Sequence, residues 1–186
     1  PERFEEAIIQ GYVEGRELNI GIVGDTVLPI SEIVLDNMPK GMWKIVSYRS
    51  KWEKGCDEDL GSVPQCPADL PARVANEAKR VALEAWKQVG GQGYARVDMR
   101  IDSNGHPWIL EVNANPDIAP DAGLAGMARV AGIEYGALMR QICELGIKRG
   151  REWQMQPDGW AMAQKLSGMP VPSAGPELAL FAGRNS

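Results

Sequence analysis

Asp98, Glu111 and Asn113 are the residues in this chain whose types and spacing could do chemistry together. They lie in two β-rich runs, 94–101 (YARVDMRI) and 107–113 (PWILEVN), on either side of Asn104-Gly105. Asn-Gly is the strongest short-range signal for a two-residue hairpin turn. With those two residues as the loop, Ser103 faces His106, Asp98 faces Glu111 and Arg96 faces Asn113. Side chains alternate along a strand, so Arg96, Asp98, Glu111 and Asn113 share one face. Val97, Met99, Leu110 and Val112 take the other face, toward the core. Two carboxylates opposite each other on a ladder repel by about 0.2–1 kcal/mol, unless a cation sits between them. Two carboxylates and an amide oxygen form an all-oxygen donor set, suited to Mg²⁺ or Mn²⁺ rather than zinc. A plainer reading stands beside this one: Arg96 or Arg100 neutralises the acids as an ordinary ion pair. A one-residue slip would also turn the whole set to the wrong face.

Those strands need a sheet and helices to hold them. Residues 7–13 (AIIQGYV) and 17–23 (ELNIGIV) read as a hairpin around Glu14-Gly15-Arg16, and Gly24-Asp25 makes the next turn. TVLPISEIVL continues as one or two strands. Residues 36–65 read as a long irregular loop with a short strand near Lys44-Ile45-Val46. The spacing of Leu70, Val74, Ala78, Val81, Ala85 and Val89 predicts a helix over 67–89, with Asp69 as N-cap and Gly90-Gly91 as its end. Further helices fit 122–131 and 134–148. The expected fold class is α+β, a mostly antiparallel sheet backed by helices. The expected domains are 1–150 and a Pro-containing tail or linker over 151–186.

Composition narrows the partners. Twenty-five acidic against 20 basic residues give a net charge of −5, the opposite balance to a chain that binds a phosphate backbone. Nucleic acid is therefore not expected as a partner. No apolar run approaches the ~18 residues of a membrane span. Cys56, Cys66 and Cys143 are odd in number and form no C-x-x-C pair, which reads as reduced thiols and a cytoplasmic location. A lone His106 leaves no His-rich zinc site or Ser-His-Asp triad, so a metal here needs oxygen ligands. Trp43, Trp52 and Trp86 read as packing residues. Pro1-Glu2-Arg3-Phe4 has neither an initiator Met nor a signal-peptide layout. Residue 1 is therefore expected not to be a native start.

Several segments, in order, resemble the ATP-grasp superfamily and within it the D-alanine–D-alanine ligase branch. Asp98 with Glu111-x-Asn113 and Pro116 resembles the metal signature. Gly15-Arg16-Glu17-Leu18 is similar to the branch's G-x-E strand, and Tyr48-Arg49-Ser50-Lys51-Trp52 to its Y-x-x-K-Y segment. Cys66-Pro67-Ala68-x-Leu70 and Gly93-Tyr94-Ala95-Arg96-Val97-Asp98 resemble two further motifs. The likeness covers about residues 4–148.

The resemblance implies ATP and one or two Mg²⁺ (or Mn²⁺) held by Asp98, Glu111 and Asn113, with Glu111 shared between them. It implies Glu17 on the ribose, Lys51 on a phosphate, and Gln10, Val13 and Leu110 around adenine. Arg96 would stabilise the transferring phosphoryl group, and Asp121, Gly123 and Leu124 would lie in the acceptor-substrate segment. The implied reaction is ATP-dependent joining of a carboxylate to an amine (amino acid or peptide) through an acyl phosphate, with a homodimer open as the assembly. The glycine-rich lid and another phosphate-binding lysine are expected upstream of residue 1, leaving this chain inactive alone. Gln10 stands where the family often has an acid, and Asp117 where it has Gly. Both leave open a nucleotide-binding module without turnover.

Overall fold

Alternate aliphatic residues build the sheet, as the sequence predicts. The computed structural model describes residues 9–154. Its strands are β1 (Arg16–Val23), β2 (Thr26–Val27), β3 (Ser31–Val34), β4 (Val63–Gln65), β5 (Tyr94–Ile101) and β6 (Pro107–Asn113). All pairings are antiparallel, in the order β4-β3-β1-β5-β6, with β2 folded back on the end of β1. The α+β expectation holds.

Helices α1 (Tyr48–Trp52), α2 (Asp57–Leu60), α3 (Ala72–Gln88), α4 (Gly123–Val130) and α5 (Tyr135–Gln154) complete the elements. Val74, Ala78, Ala82 and Trp86, each four residues on from the last, are the buried stripe of α3. They pack against Leu18, Ile20 and Ile22 of β1 and Ala95, Val97, Met99 and Ile101 of β5. A second cluster joins Val23 and Leu28 to Leu124, Met127, Ala128 and Leu138 from α4 and α5. Fully burying each such large aliphatic side chain contributes about 1.5–3 kcal/mol.

Four local expectations change. Residues 9–13 are not a strand, and the turn around Glu14-Gly15-Arg16 does not form, because Arg16 already lies in β1. Residues 7 and 8 lie outside the described part. The 36–65 segment contains α1, α2 and β4, whereas Lys44-Ile45-Val46 is not a strand. Helix α3 starts at Ala72 with Pro71 at the cap position and no side-chain cap bond, so Asp69 is not its N-cap. The α3 stripe is also rotated from the predicted one, since Trp86 is buried and Val89 is 63% exposed. The large indole draws the helix face toward it.

The chain divides into two compact units, 1–146 and 147–186. The described part of the second is the end of α5, which runs to Gln154 rather than stopping at 148. The rest of the expected tail lies outside the described residues.

Candidate active site

The β5–β6 hairpin carries the site, and its register at the acids is the predicted one: Arg96↔Asn113, Val97↔Val112 and Asp98↔Glu111. Nearer the turn the pairing is one residue different, with Met99↔Ile109 and Ile101↔Pro107. The turn is not the two-residue type expected. That type needs positive φ at both central residues, and Asn104 has none. Instead the Gly105 N–H donates to the Asp102 carbonyl at 2.9 Å, and Gly105 itself takes φ 78. This is a three-residue loop, a type I turn followed by a left-handed residue. A bulge between Asp98 and Met99 leaves Leu110 unpaired and restores the register toward the acids. Leu110 is accordingly 46% exposed rather than on the core side.

The sheet face away from α3 is polar along three adjacent strands. In the β1–β5 ladder Asn19 faces Asp98 and Glu17 faces Arg100. Asp98 is 8% exposed. The Arg96 guanidinium donates to it twice, Nε to Oδ1 and Nη2 to Oδ2, both at 2.7 Å, and Asn19 Nδ2 donates to Oδ1 at 2.9 Å. The hydrogen bond to Asp98 holds the Arg96 proton more firmly than usual, and the charges of Glu111 and Asp117 add to this. Of the two alternatives for Arg96 and Arg100, it is Arg96 that pairs with the metal-signature acid. Asn19, two residues beyond Glu17 on the same face, was not singled out as a site residue; the period-2 spacing alone could have found it.

The donor set fits a hard divalent cation. Asp98 Oδ2 accepts one hydrogen bond and keeps a lone pair. The exposed Glu111 carboxylate acts on Arg96 through its charge but makes no hydrogen bond or close ion pair among the described residues. Asn113 Oδ1 accepts only the Asn115 N–H, at 2.9 Å. All the open positions are oxygens, as Mg²⁺ prefers. Among the described residues no group of three or more His, Cys, Asp or Glu could hold a metal; the set here is two carboxylates and an amide.

Glu17 and Arg100 form the second station on this face. Glu17 is 8% exposed and accepts Arg100 Nη1 on Oε2 at 2.9 Å. Burial pushes the Glu17 carboxyl above the usual range, while the Arg100 charge pulls it back. Gln10, Val13 and Leu110, the three residues expected around adenine, line one open groove of about 670 Å³, within the range of small-molecule sites. Glu17 lines a different pocket, with Lys44 and Asp36, so the structure does not place it in that groove.

Lys51 sits exposed on α1, with no side-chain partner among the described residues, and lines neither pocket. Asp121 and Gly123 are exposed at the start of α4. Leu124 departs from the expected substrate role: its side chain is 1% exposed, locked in the second core cluster. An apolar residue in the first turn of an amphipathic helix is drawn inward. Nearby, Asp117 Oδ1 accepts the Ala119 N–H at 2.8 Å and Tyr135 donates to the Ile118 carbonyl at 3.2 Å. These bonds fix the loop that follows the metal signature.

An antiparallel sheet with α3 on one face, and on the other a charged row with α4 packed beyond its end, defines the C-terminal portion of an ATP-grasp domain. The chain belongs to the family described as D-ala D-ala ligase C-terminus, which matches residues 2–144. A D-alanine--D-alanine ligase of Sphingopyxis alaskensis is 31% identical over 146 residues, covering 77% of this chain and 44% of that protein. One of Dechloromonas aromatica is 35% identical over 138 residues, covering 74% and 42%. Among solved structures, the D-alanine--D-alanine ligase of Bacillus anthracis complexed with ATP aligns with TM-score 0.59 at 25% identity, covering 76% of this chain and 41% of that one. The chain thus spans less than half the length of these relatives.

Proposed function

We propose that this chain is the metal-binding and phosphoryl-transfer half of an ATP- and Mg²⁺-dependent ligase that joins a carboxylate to an amine, an amino acid or peptide, through an acyl phosphate. The observation that carries this reading is the facing Asp98–Glu111 pair with Asn113, beside an Arg96 that keeps donors to spare. Asp98, Glu111 and Asn113 hold one or two divalent ions, which when bound neutralise the phosphates and polarise the transferring group. Arg96 uses two of its five N–H donors on Asp98. The remaining donors are aimed by that grip, ready for charge that develops in the transition state. Gln10, Val13 and Leu110 take adenine, Glu17 the ribose, and Lys51 a phosphate. Asp121 and Gly123 lie at the second substrate. The metal, a cytoplasmic location and a homodimer belong to this same reading. In such chemistry the protein chiefly positions and neutralises.

The test is ADP release by the intact protein, with ATP and Mg²⁺, across a panel of amino acids and dipeptides. A substrate-dependent signal that falls on the order of 10²–10³-fold in Glu111→Gln supports the ligase. Unchanged turnover in Glu111→Gln would sink the metal assignment. Gln10 and Asp117 favour a second reading, a nucleotide-binding module without turnover. A flat panel with nucleotide still bound would select it.

A further inference from the structure

Arg100 stands apart from the charged row, because none of its chemistry is left over for a ligand. It is 3% exposed, and each of the five donors of a guanidinium has an acceptor. Nε donates to the Val13 carbonyl at 2.6 Å. Nη1 donates to Glu17 Oε2 at 2.9 Å and to the Lys44 carbonyl at 3.0 Å. Nη2 donates to the Gly15 carbonyl at 2.8 Å and to the Tyr12 hydroxyl at 3.5 Å. The Tyr12 ring covers the guanidinium at 5.2 Å and meets Trp43 edge-on at 4.8 Å.

These acceptors come from separate stretches of chain that no ladder joins. Residues 9–14 have no strand partner among the described residues, yet they supply Gln10 and Val13 to the groove wall. Gly15 passes so close to β5 that a Cβ there would lie 1.9 Å from the Ile101 carbonyl oxygen. Glu17 lines the neighbouring pocket. One side chain therefore ties the groove wall to the Glu17 carboxylate. That carboxylate also receives the Val46 backbone N–H and retains acceptor capacity, since a carboxylate offers about four lone-pair sites.

We infer that Arg100 is the positioning residue of the nucleotide site: it fixes the Glu17 carboxylate and the 12–15 wall relative to each other, and so sets how strictly the site requires the ribose hydroxyls. The inference rests on the nucleotide reading proposed above. Arg100 acts through Glu17 and touches no ligand itself. Losing it therefore reproduces the loss of Glu17 in ribose selectivity.

The experiment measures the affinity of the intact protein for Mg²⁺ with ATP, 2′-deoxy-ATP and 3′-deoxy-ATP by calorimetry. It compares the unmodified protein, Glu17→Gln, Arg100→Met and the double variant. Glu17→Gln is expected to cut the preference for ATP over one deoxy analogue by about tenfold, the share of one charge-assisted hydrogen bond. Arg100→Met is expected to cut it comparably, and the double variant no further, as coupled sites behave. A purely structural arginine would lower the melting temperature and leave the ratio alone. An unchanged ratio in Arg100→Met, with Glu17→Gln impaired, overturns the inference but keeps the nucleotide reading. An unchanged ratio in Glu17→Gln overturns both the ribose role and the inference. Where Arg100→Met fails to fold, Arg100→Lys carries the test: it keeps the charge but loses the fork, and an unchanged ratio there also overturns the inference.

Discussion

Arg96 and Arg100 leave the same strand on the same face, four residues apart, and are put to opposite uses. Arg100 is sealed under Tyr12 with five acceptors, three of them main-chain carbonyls. Arg96 grips a single carboxylate at both oxygens and keeps its other donors open beside an exposed Glu111. The first arrangement holds segments of backbone together. The second presents a charge that is firmly placed and only partly satisfied, which is what a site needs where negative charge grows during reaction. Satisfaction, rather than burial or charge alone, separates framework from working chemistry on this face.

Replacing each arginine by lysine sharpens the contrast, because lysine keeps the charge but loses the planar fork and two of the five donors. Arg96→Lys is expected to lower kcat for ADP release on the order of 10²–10³-fold. Its melting temperature should change little, since an ammonium can still neutralise Asp98. Arg100→Lys leaves at least two buried acceptors without a donor and should cost about 2–4 kcal/mol in denaturant unfolding, with a smaller loss in kcat. Equal stability losses at the two positions would erase the distinction.

Leu124 marks a second boundary between framework and site. It lies between the exposed Gly123 and the buried Ala125 and fills the second core with Leu28 and Met127. Leu124→Ala should cost about 2–3 kcal/mol through transfer and cavity terms, read from unfolding in urea. The KM for the amine substrate is expected to stay unchanged. A raised KM without lost stability would return Leu124 to the substrate segment.

How much of this was legible in the sequence depends on the range of the signal. The strand limits of β5 and β6 and the facing of Asp98 with Glu111 followed from alternation and a turn signal, both local. They were reached through a wrong turn and an unforeseen bulge that cancel: the three-residue loop shifts the pairing one way, and the unpaired Leu110 shifts it back. The exposed side of Leu110 and the groove it lines with Gln10 and Val13 depend on that bulge, so the periodicity misplaced the side chain. Residues 9–13 are apolar enough to predict a strand, but a strand also needs a ladder partner. Here the Arg100 side chain takes the Val13 and Gly15 carbonyls instead. No local pattern announces an arginine that bonds 87 positions away.

The smallest expected effect lies at the turn end of the same hairpin, where Asp102 takes the part that Asn104 was expected to play. Its carboxyl is held below the ordinary range, first by the His106 backbone N–H, then by the Trp108 indole, with the Asn104 N–H adding to both. The first and last of those bonds are 2.9 Å and the indole bond is 3.1 Å. A carboxylate whose folded pKa is lowered adds stability that is present above its unfolded pKa, about 3.9, and is lost as pH falls through the folded value. Amide exchange at Asn104 and His106 should therefore quicken as acid protonates Asp102, relative to other β5–β6 amides. Asp102→Asn should remove that pH dependence while leaving the Asp98–Glu111 register, and so ADP release, intact. If ADP release fell with the turn, the bulge at Leu110 would not be insulating the site from the loop, and the two ends of the hairpin would be one mechanical unit.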